Sequence, residues 1–150
     1  MLACTFFGHR DCPAEIYPAL EALVYDLISA YGVDTFYVGE QGNFDALATR
    51  ALCRLSETFP HVKCYRVLTR LPARLSSADR FLPPTLLPEG IEEVPPKFAV
   101  DHRNRWMLFR SVFVIGYVRY SFGGAAKFLS AAKRHGKTVF NLAVLPCDDP

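Results

Sequence analysis

Phe36-Tyr37-Val38-Gly39-Glu40-Gln41-Gly42-Asn43-Phe44-Asp45 decides the reading of this chain, because an apolar strand there runs into a glycine-framed turn that opens a helix. Glycine takes positive φ without Cβ strain and lets another group come close to its backbone. A helix beginning near Phe44 aims unpaired N–H groups and a partial positive charge at the same turn. Such a turn suits a phosphate or a carboxylate. It can equally be a tight strand-to-helix connection with no ligand, and the Gly-x-x-Gly spacing alone leaves both readings open.

Toward the N-terminus, Ala3 to Phe7 is a short apolar run ended by Gly8-His9-Arg10, and Pro13 stands where the first turn of a helix tolerates it. Ile16, Leu20, Val24, Leu27, Ile28 and Tyr31 then recur at helical spacing until Gly32 stops the pattern. Toward the C-terminus, Phe44, Leu47, Ala51, Leu52, Leu55 and Phe59 form the stripe of a second helix closed by Pro60, and Val62 to Leu68 reads as the third strand. Thr69 to Lys97 holds six of the eleven prolines and no sustained periodicity, as a binding loop or a stiff packed arm would. A short helix is expected over Phe98 to Arg110 and a doubly covered strand over Ser111 to Val118. A helix with Ala125, Phe128, Leu129 and Ala132 on one face follows, then a fifth strand over Thr138 to Leu142 and a tail, Pro146 to Pro150, expected to fray.

Strands alternating with helices predict a single Rossmann-like α/β domain over residues 1–150. Its sheet is expected to be mainly parallel, of about five strands in the order 3-2-1-4-5 counted along the chain, with helices on both faces. The length, with 51% hydrophobic and 21% charged residues, suits one domain with a full core. A formal charge of +2 and a pI near 8.3 argue against nucleic acid and membranes as partners, since both need a concentrated basic face. Five cysteines, an odd number without framework spacing, together with the lack of a leader-like or membrane-spanning stretch, point to a reducing cytoplasmic setting. Cys4, His9 and Cys12 lack the second ligand pair a zinc site needs, so neither metal nor cofactor is expected.

In that strand order a crevice opens between the first and fourth strands, beyond their carboxyl ends. Three glycine-bearing loops converge on it, each weak evidence by itself. Gly8, His9 and Arg10 come from the first, Gly39, Glu40, Gln41, Gly42, Asn43, Phe44 and Asp45 from the second, and Gly123 and Gly124 from the third. Arg10, Arg103, Arg119 and Lys127 bring positive charge for an anionic guest, although each singly also reads as a solvated cation, and Arg105 can pair with Asp101 across one helical turn. Tyr120 and Phe122 read either as rings for stacking a base or as hydrophobic filler.

At these residues the sequence resembles the SLOG superfamily, the Rossmann-like grouping of the Smf/DprA and Lonely Guy proteins, and particularly its YpsA-like bacterial branch. The resemblance is carried by Thr5-Phe6-Phe7-Gly8-His9-Arg10, Val38-Gly39-Glu40-Gln41-Gly42-Asn43-Phe44-Asp45, Arg103-Asn104-Arg105-Trp106-Met107 and Ser121-Phe122-Gly123-Gly124-Ala125. It implies a nucleotide or nucleotide-derived ligand at the glycine loops and adds Asn104 to the expected contacts. The Lonely Guy enzymes, more distantly similar, cleave a glycosidic bond with a Pro-Gly-Gly-x-Gly-Thr-x-x-Glu motif. Here the corresponding stretch reads Ser121-Phe122-Gly123-Gly124-Ala125-Ala126-Lys127-Phe128, without the Gly-Thr step or the Glu that would favour an oxocarbenium-like state.

The leading expectation is therefore a module that binds or senses a nucleotide or an ADP-ribose-like molecule and has no assembled catalytic centre. Two alternatives stand beside it: a nucleotide N-glycosidase acting through Glu40 or Asp45, and a DNA-binding protein of the DNA-processing type. The expected partner is a nucleotide-like small molecule, with a homodimer left open. If the second loop holds a ligand's anion, Gly42→Val is expected to weaken binding while the fold survives; if the turn is purely structural, the same change is expected to cost folding.

Overall fold

The computed structural model describes residues 1–71 and 82–143; residues 72–81 of the proline-rich segment and the tail from 144, with Cys147, lie outside the described residues. The chain runs β1 (Ala3–Gly8), α1 (Tyr17–Ser29), β2 (Thr35–Val38), α2 (Asn43–Thr58), β3 (Lys63–Val67), β4 (Thr85–Leu86), α3 (Ala99–Phe109), β5 (Phe113–Tyr117), α4 (Gly124–Arg134) and β6 (Thr138–Asn141). All six strands pair in parallel in one sheet of order β4-β3-β2-β1-β5-β6. Two hydrophobic cores result, one on each face. Successive strand side chains point to opposite faces, so Cys4 and Phe6 of β1 join Leu20, Val24 and Phe44 under α1 and α2. Ala3 and Phe7 join Met107, Phe128 and Leu129 under α3 and α4. Ring pairs mark both sides of the same strand: Phe6 lies 6.1 Å from Phe36, and Phe7 lies 5.3 Å from Phe128.

The five strands read from periodicity take the expected relative order, and the sixth, β4, is a correction to the count. It comes from the proline-rich segment, where two residues between Pro84 and Leu87 are too few to show a period of two. An edge position explains how prolines come to flank it, because one side of an edge strand needs no donor. Arg66 ties the edge in place: its backbone N–H donates to the Pro84 carbonyl at 2.9 Å and its Nε to the Pro83 carbonyl at 2.8 Å. No helix among the described residues is long and apolar enough to cross a membrane.

The end of β1 is packed to the point where one methyl group matters. A Cβ on Gly8 would overlap the ring of Phe44, itself fully buried at the start of α2. Gly8→Ala is expected to cost roughly 1–3 kcal/mol through overpacking and to lower the melting temperature by several degrees. Phe44→Leu in the same chain is expected to recover part of that loss, and thermal unfolding of the two variants measures both effects.

Candidate functional site

Strand order reverses at β1, whose neighbours are β2 on one side and β5 on the other, and connections leave the sheet there in opposite directions. A cleft of about 410 Å³ opens at that point, beyond the carboxyl ends of β1 and β5, where open α/β sheets hold ligands. The loop after β1 contributes Gly8, His9, Arg10 and Asp11 to its walls, and the loop after β5 contributes Tyr120, Phe122, Gly123 and Gly124. Gln41 and Asp45 enter from α2's side, and Val100, Arg103 and Asn104 from α3.

One wall is a pile of rings. His9 and Tyr120 stack with centroids 3.8 Å apart and planes within 7°, and Phe122 stacks on Tyr120 at 4.4 Å. The inner end is fixed by hydrogen bonds: the His9 backbone N–H donates to the Tyr117 carbonyl at 3.1 Å, and His9 Nε2 accepts the Arg119 backbone N–H at 2.9 Å. An accepting Nε2 leaves the ring proton on Nδ1 of a neutral imidazole, and burial agrees by holding the His9 pKa below its ordinary value, against the smaller upward pull of Asp11. The outer end is open, with Phe122 69% exposed. A large aromatic left in solvent at a cleft mouth is a feature that core packing does not explain.

Beside that open ring begins α4. Its N-cap, Gly123, has φ +96, a left-handed backbone that side chains rarely adopt, and no side chain caps the helix. The first-turn N–H groups therefore have no partner within the helix, and the helix dipole adds partial positive charge at the same place. A Cβ on Gly123 or Gly124 would meet nothing within 4 Å. These are glycines with room in front of them, lining a cleft, at an uncapped helix start. The arrangement can seat a phosphate or a carboxylate.

The turn after β2 is built differently. Gly42 also has positive φ, +92, but a Cβ there would lie 2.5 Å from the Cα of Arg10. The Asn43 N–H donates to the Arg10 carbonyl at 2.9 Å, and Arg10 Nη2 donates to Gln41 Oε1 at 2.7 Å, so this turn is stitched to the loop after β1. At Gly39 a Cβ would come 2.9 Å from both the guanidinium carbon of Arg103 and Oδ2 of Asp45. The glycine spacing is thus taken up by the chain's own Arg10, Arg103 and Asp45.

Asp45 and Arg103 form the charged floor of the cleft, 7% and 2% exposed. Arg103 Nη1 donates to the Val67 carbonyl at 3.2 Å and its Nε to Asn104 Oδ1 at 2.8 Å; Asp45 Oδ2 accepts the Gln41 backbone N–H at 2.8 Å. Burial raises the Asp45 carboxyl from 3.8 to about 6, against the downward pulls of the Gln41 N–H and Arg103. Burial likewise lowers Arg103 from its usual value, against the charges of Asp45 and Glu40.

Of the contacts expected from sequence, Gly8, His9, Arg10, Gln41, Asp45, Arg103, Asn104, Gly123 and Gly124 surround the cleft. Gly39, Gly42, Asn43 and Phe44 stand behind it, positioning the loops. Glu40 is turned to β3, where its Oε1 accepts Arg66 Nη1 at 3.0 Å. Lys127 donates to Asp101 Oδ2 at 2.5 Å, and Arg105 also reaches that carboxylate, at 3.9 Å. The Arg119 side chain is exposed, outside the cleft lining. Asp11, whose Oδ1 accepts the Tyr120 hydroxyl at 3.3 Å, and Val100 also line the cleft, and neither is marked in the sequence by a glycine loop motif.

The fold and its cleft define a doubly wound, parallel α/β domain with an open helix N-terminus at the switch point. Among solved structures it is similar to DNA processing protein A (DprA) from Streptococcus pneumoniae, with a TM-score of 0.70 and 19% identity over 94% of this chain and 50% of that one. It is also similar to DNA processing protein A from Helicobacter pylori, a structure concerned with single-stranded DNA binding, with a TM-score of 0.61 and 15% identity over 93% of this chain and 64% of that one. The likeness is one of fold, and the chain spans about half the length of the first protein and under two thirds of the second. No family model and no curated protein matches the chain.

The single-stranded DNA binding of that neighbour runs against the expectation that nucleic acid is an unlikely partner, which is corrected accordingly. That expectation rests on the net charge of +2, and the average conceals a separation. Between Asp101 and Asp148 the sequence holds eight lysines and arginines and no acidic residue, whereas residues 1–101 hold thirteen acidic residues against nine basic ones. Charge counted by segment exposes it.

A raised carboxyl pKa has a stability consequence. Because folded Asp45 binds its proton more tightly than the unfolded chain does, its favourable contribution is complete below the unfolded value of 3.8 and is lost as pH rises through about 6. The full change amounts to about 3 kcal/mol. Asp45→Asn, which keeps an oxygen to accept the Gln41 N–H, is expected to flatten this part of the profile. Denaturant unfolding of the two proteins between those pH values checks it.

Proposed function

We propose that this domain binds single-stranded nucleic acid at the β1/β5 cleft, with a backbone phosphate on the N-terminus of α4 and a base stacked on Phe122. The observation that carries the proposal is the open end of the His9–Tyr120–Phe122 ring pile directly beside the unobstructed Gly123-Gly124 helix start. Non-specific single-strand binders combine these two elements, a ring on which any base can stack and a positive path for the backbone. The acid-free stretch after Asp101 and the shared fold with DNA processing protein A support it. Placement in the SLOG superfamily, and within its YpsA-like branch, belongs to the same proposal and rests on the motifs around Gly8, Gly39, Arg103 and Gly123.

A second reading, a free nucleotide or ADP-ribose-like ligand, is favoured by the cleft volume of about 410 Å³ and by the enclosed Asp45–Arg103 floor, both suited to one small molecule. Fluorescence anisotropy with labelled oligodeoxythymidylate, beside calorimetry with mononucleotides and ADP-ribose, separates the two. Saturable binding of mononucleotides without binding of any strand would replace the first reading by the second.

Two substitutions test the geometry. Phe122→Ala removes a stacking surface worth about 1–3 kcal/mol, so single-strand affinity is expected to fall roughly 5- to 150-fold with little change in melting temperature. Gly124→Asp places an acid in the first turn of α4, where it favours the helix and has open space. It is expected to leave the melting temperature unchanged or higher while abolishing strand binding. Wild-type affinity in Gly124→Asp would show that no phosphate sits there.

A further inference from the structure

The acid-free stretch does more than surround the cleft. The C-terminal ends of α3 and α4 meet at the far end of the sheet, where the rings of Phe109 and His135 pack at 5.4 Å. Arg110 follows the first ring, Lys133 and Arg134 precede the second, and Lys137 leads into β6. None of these four cations forms an ion pair with a described residue. Asp101, the one acid on α3, lies at that helix's other end and is engaged by Lys127 and Arg105. Aromatic surface is interleaved with the charge: Phe109 is 54% exposed, and the Arg110 guanidinium lies 4.0 Å over the Trp106 ring. Positive charge at a helix C-terminus favours the dipole and explains Lys133 and Arg134 in part. Arg110, the C-cap of α3, gains in the same way and donates from Nη1 to the Trp106 carbonyl at 3.5 Å; neither effect accounts for Lys137 or for an exposed phenylalanine among the cations.

We propose that this α3–α4 end is a second binding surface for the same nucleic-acid strand, engaging its phosphates through Arg110, Lys133, Arg134 and Lys137 after the strand leaves the cleft. The inference rests on the strand-binding reading above and gives it a direction. The 11 residues of α4 span roughly 16 Å from the cleft to this surface, so a strand running along the helix reaches it within a few nucleotides. Charge complementarity selects the occupant: a run of cations without acids attracts a polyanion, and the exposed ring offers a base a surface to stack on. A basic or a neutral apolar partner gains nothing from the cations.

Lys133→Gln/Arg134→Gln/Lys137→Gln is tested against the wild type with labelled oligodeoxythymidylates of about 3 and about 20 nucleotides, with affinity followed over a range of salt. The short strand, which fills only the cleft, is expected to bind both proteins equally. The long strand is expected to bind the variant roughly tenfold more weakly at low salt, with the salt slope reduced by about 2, or about 0.7 for each phosphate no longer neutralised. Arg110→Gln alone is expected to lower the slope by about 0.7, and it leaves α4 intact should the triple variant fold poorly. Equal long-strand affinity and equal slope in all three proteins would overturn the second surface while leaving the cleft reading in place. Long-strand binding that survives Gly124→Asp but falls in the triple variant would do the reverse, keeping this surface and removing the cleft. Binding of neither oligonucleotide to the wild type would remove both.

Discussion

A central strand in a parallel sheet must satisfy its backbone on both edges and bury side chains on both faces, and in this chain β1 meets all four demands. It pairs with β2 from Ala3 to Thr5 and with β5 from Cys4 to Gly8. Its alternate side chains seed the two cores. The longer pairing with β5 carries Gly8 opposite Tyr117, so the loops that follow both strands leave the sheet at one level. The cleft is the consequence of that register, because connections diverge to opposite faces on either side of β1 and leave a gap between them.

Around this gap two glycine-bearing turns look alike in sequence and act differently. The turn after β2 uses its glycines to let the chain approach itself: Arg10 backbone against Gly42, the Arg103 guanidinium and Asp45 against Gly39. The turn before α4 leaves its glycines facing open space. Both turns permit close approach, but the approaching group is protein in one and solvent, or a ligand, in the other. The floor of the cleft is fixed apart from either turn, by Arg103 donating to the Val67 carbonyl of β3 and to Asn104 Oδ1 on its own helix. The buried charge of Asp45 costs stability at neutral pH, a cost offset in part by the Gln41 N–H that it accepts and by the charge of Arg103.

Charge separation is the second feature that organises the molecule. The sequence between Asp101 and Asp148, with most of α3 and all of α4, carries eight cations and no acid, and the residues up to Asp101 carry the acidic excess. Among the described residues the acid on the basic side is Asp101, which holds Lys127 close to the start of α4, so that this lysine is outside the cleft lining. Steering of a polyanion depends on such local fields and not on the net charge, since screening limits each group's reach to about 10 Å.

Periodicity and punctuation by themselves determined the α/β class, five of the strands, the four long helices and their relative order, because burial on one or two faces writes itself directly into the spacing of apolar residues. They also determined which loops lie at the carboxyl ends of β1, β2 and β5. The two-residue strand β4 left no such trace, being held by the Arg66 side chain and backbone and not by a pattern of its own. Which glycines face the chain and which face the cleft was equally invisible, since Gly42 and Gly123 have the same composition and nearly the same φ. Only the tertiary structure decided it, by placing Arg10 against one and nothing against the other. The same holds for Glu40, in the turn after β2, and Asp45, in the first turn of α2: one is drawn to Arg66 on β3, the other buried under the cleft beside Arg103, because a side chain's partner is set by which element packs against it and not by the motif it belongs to.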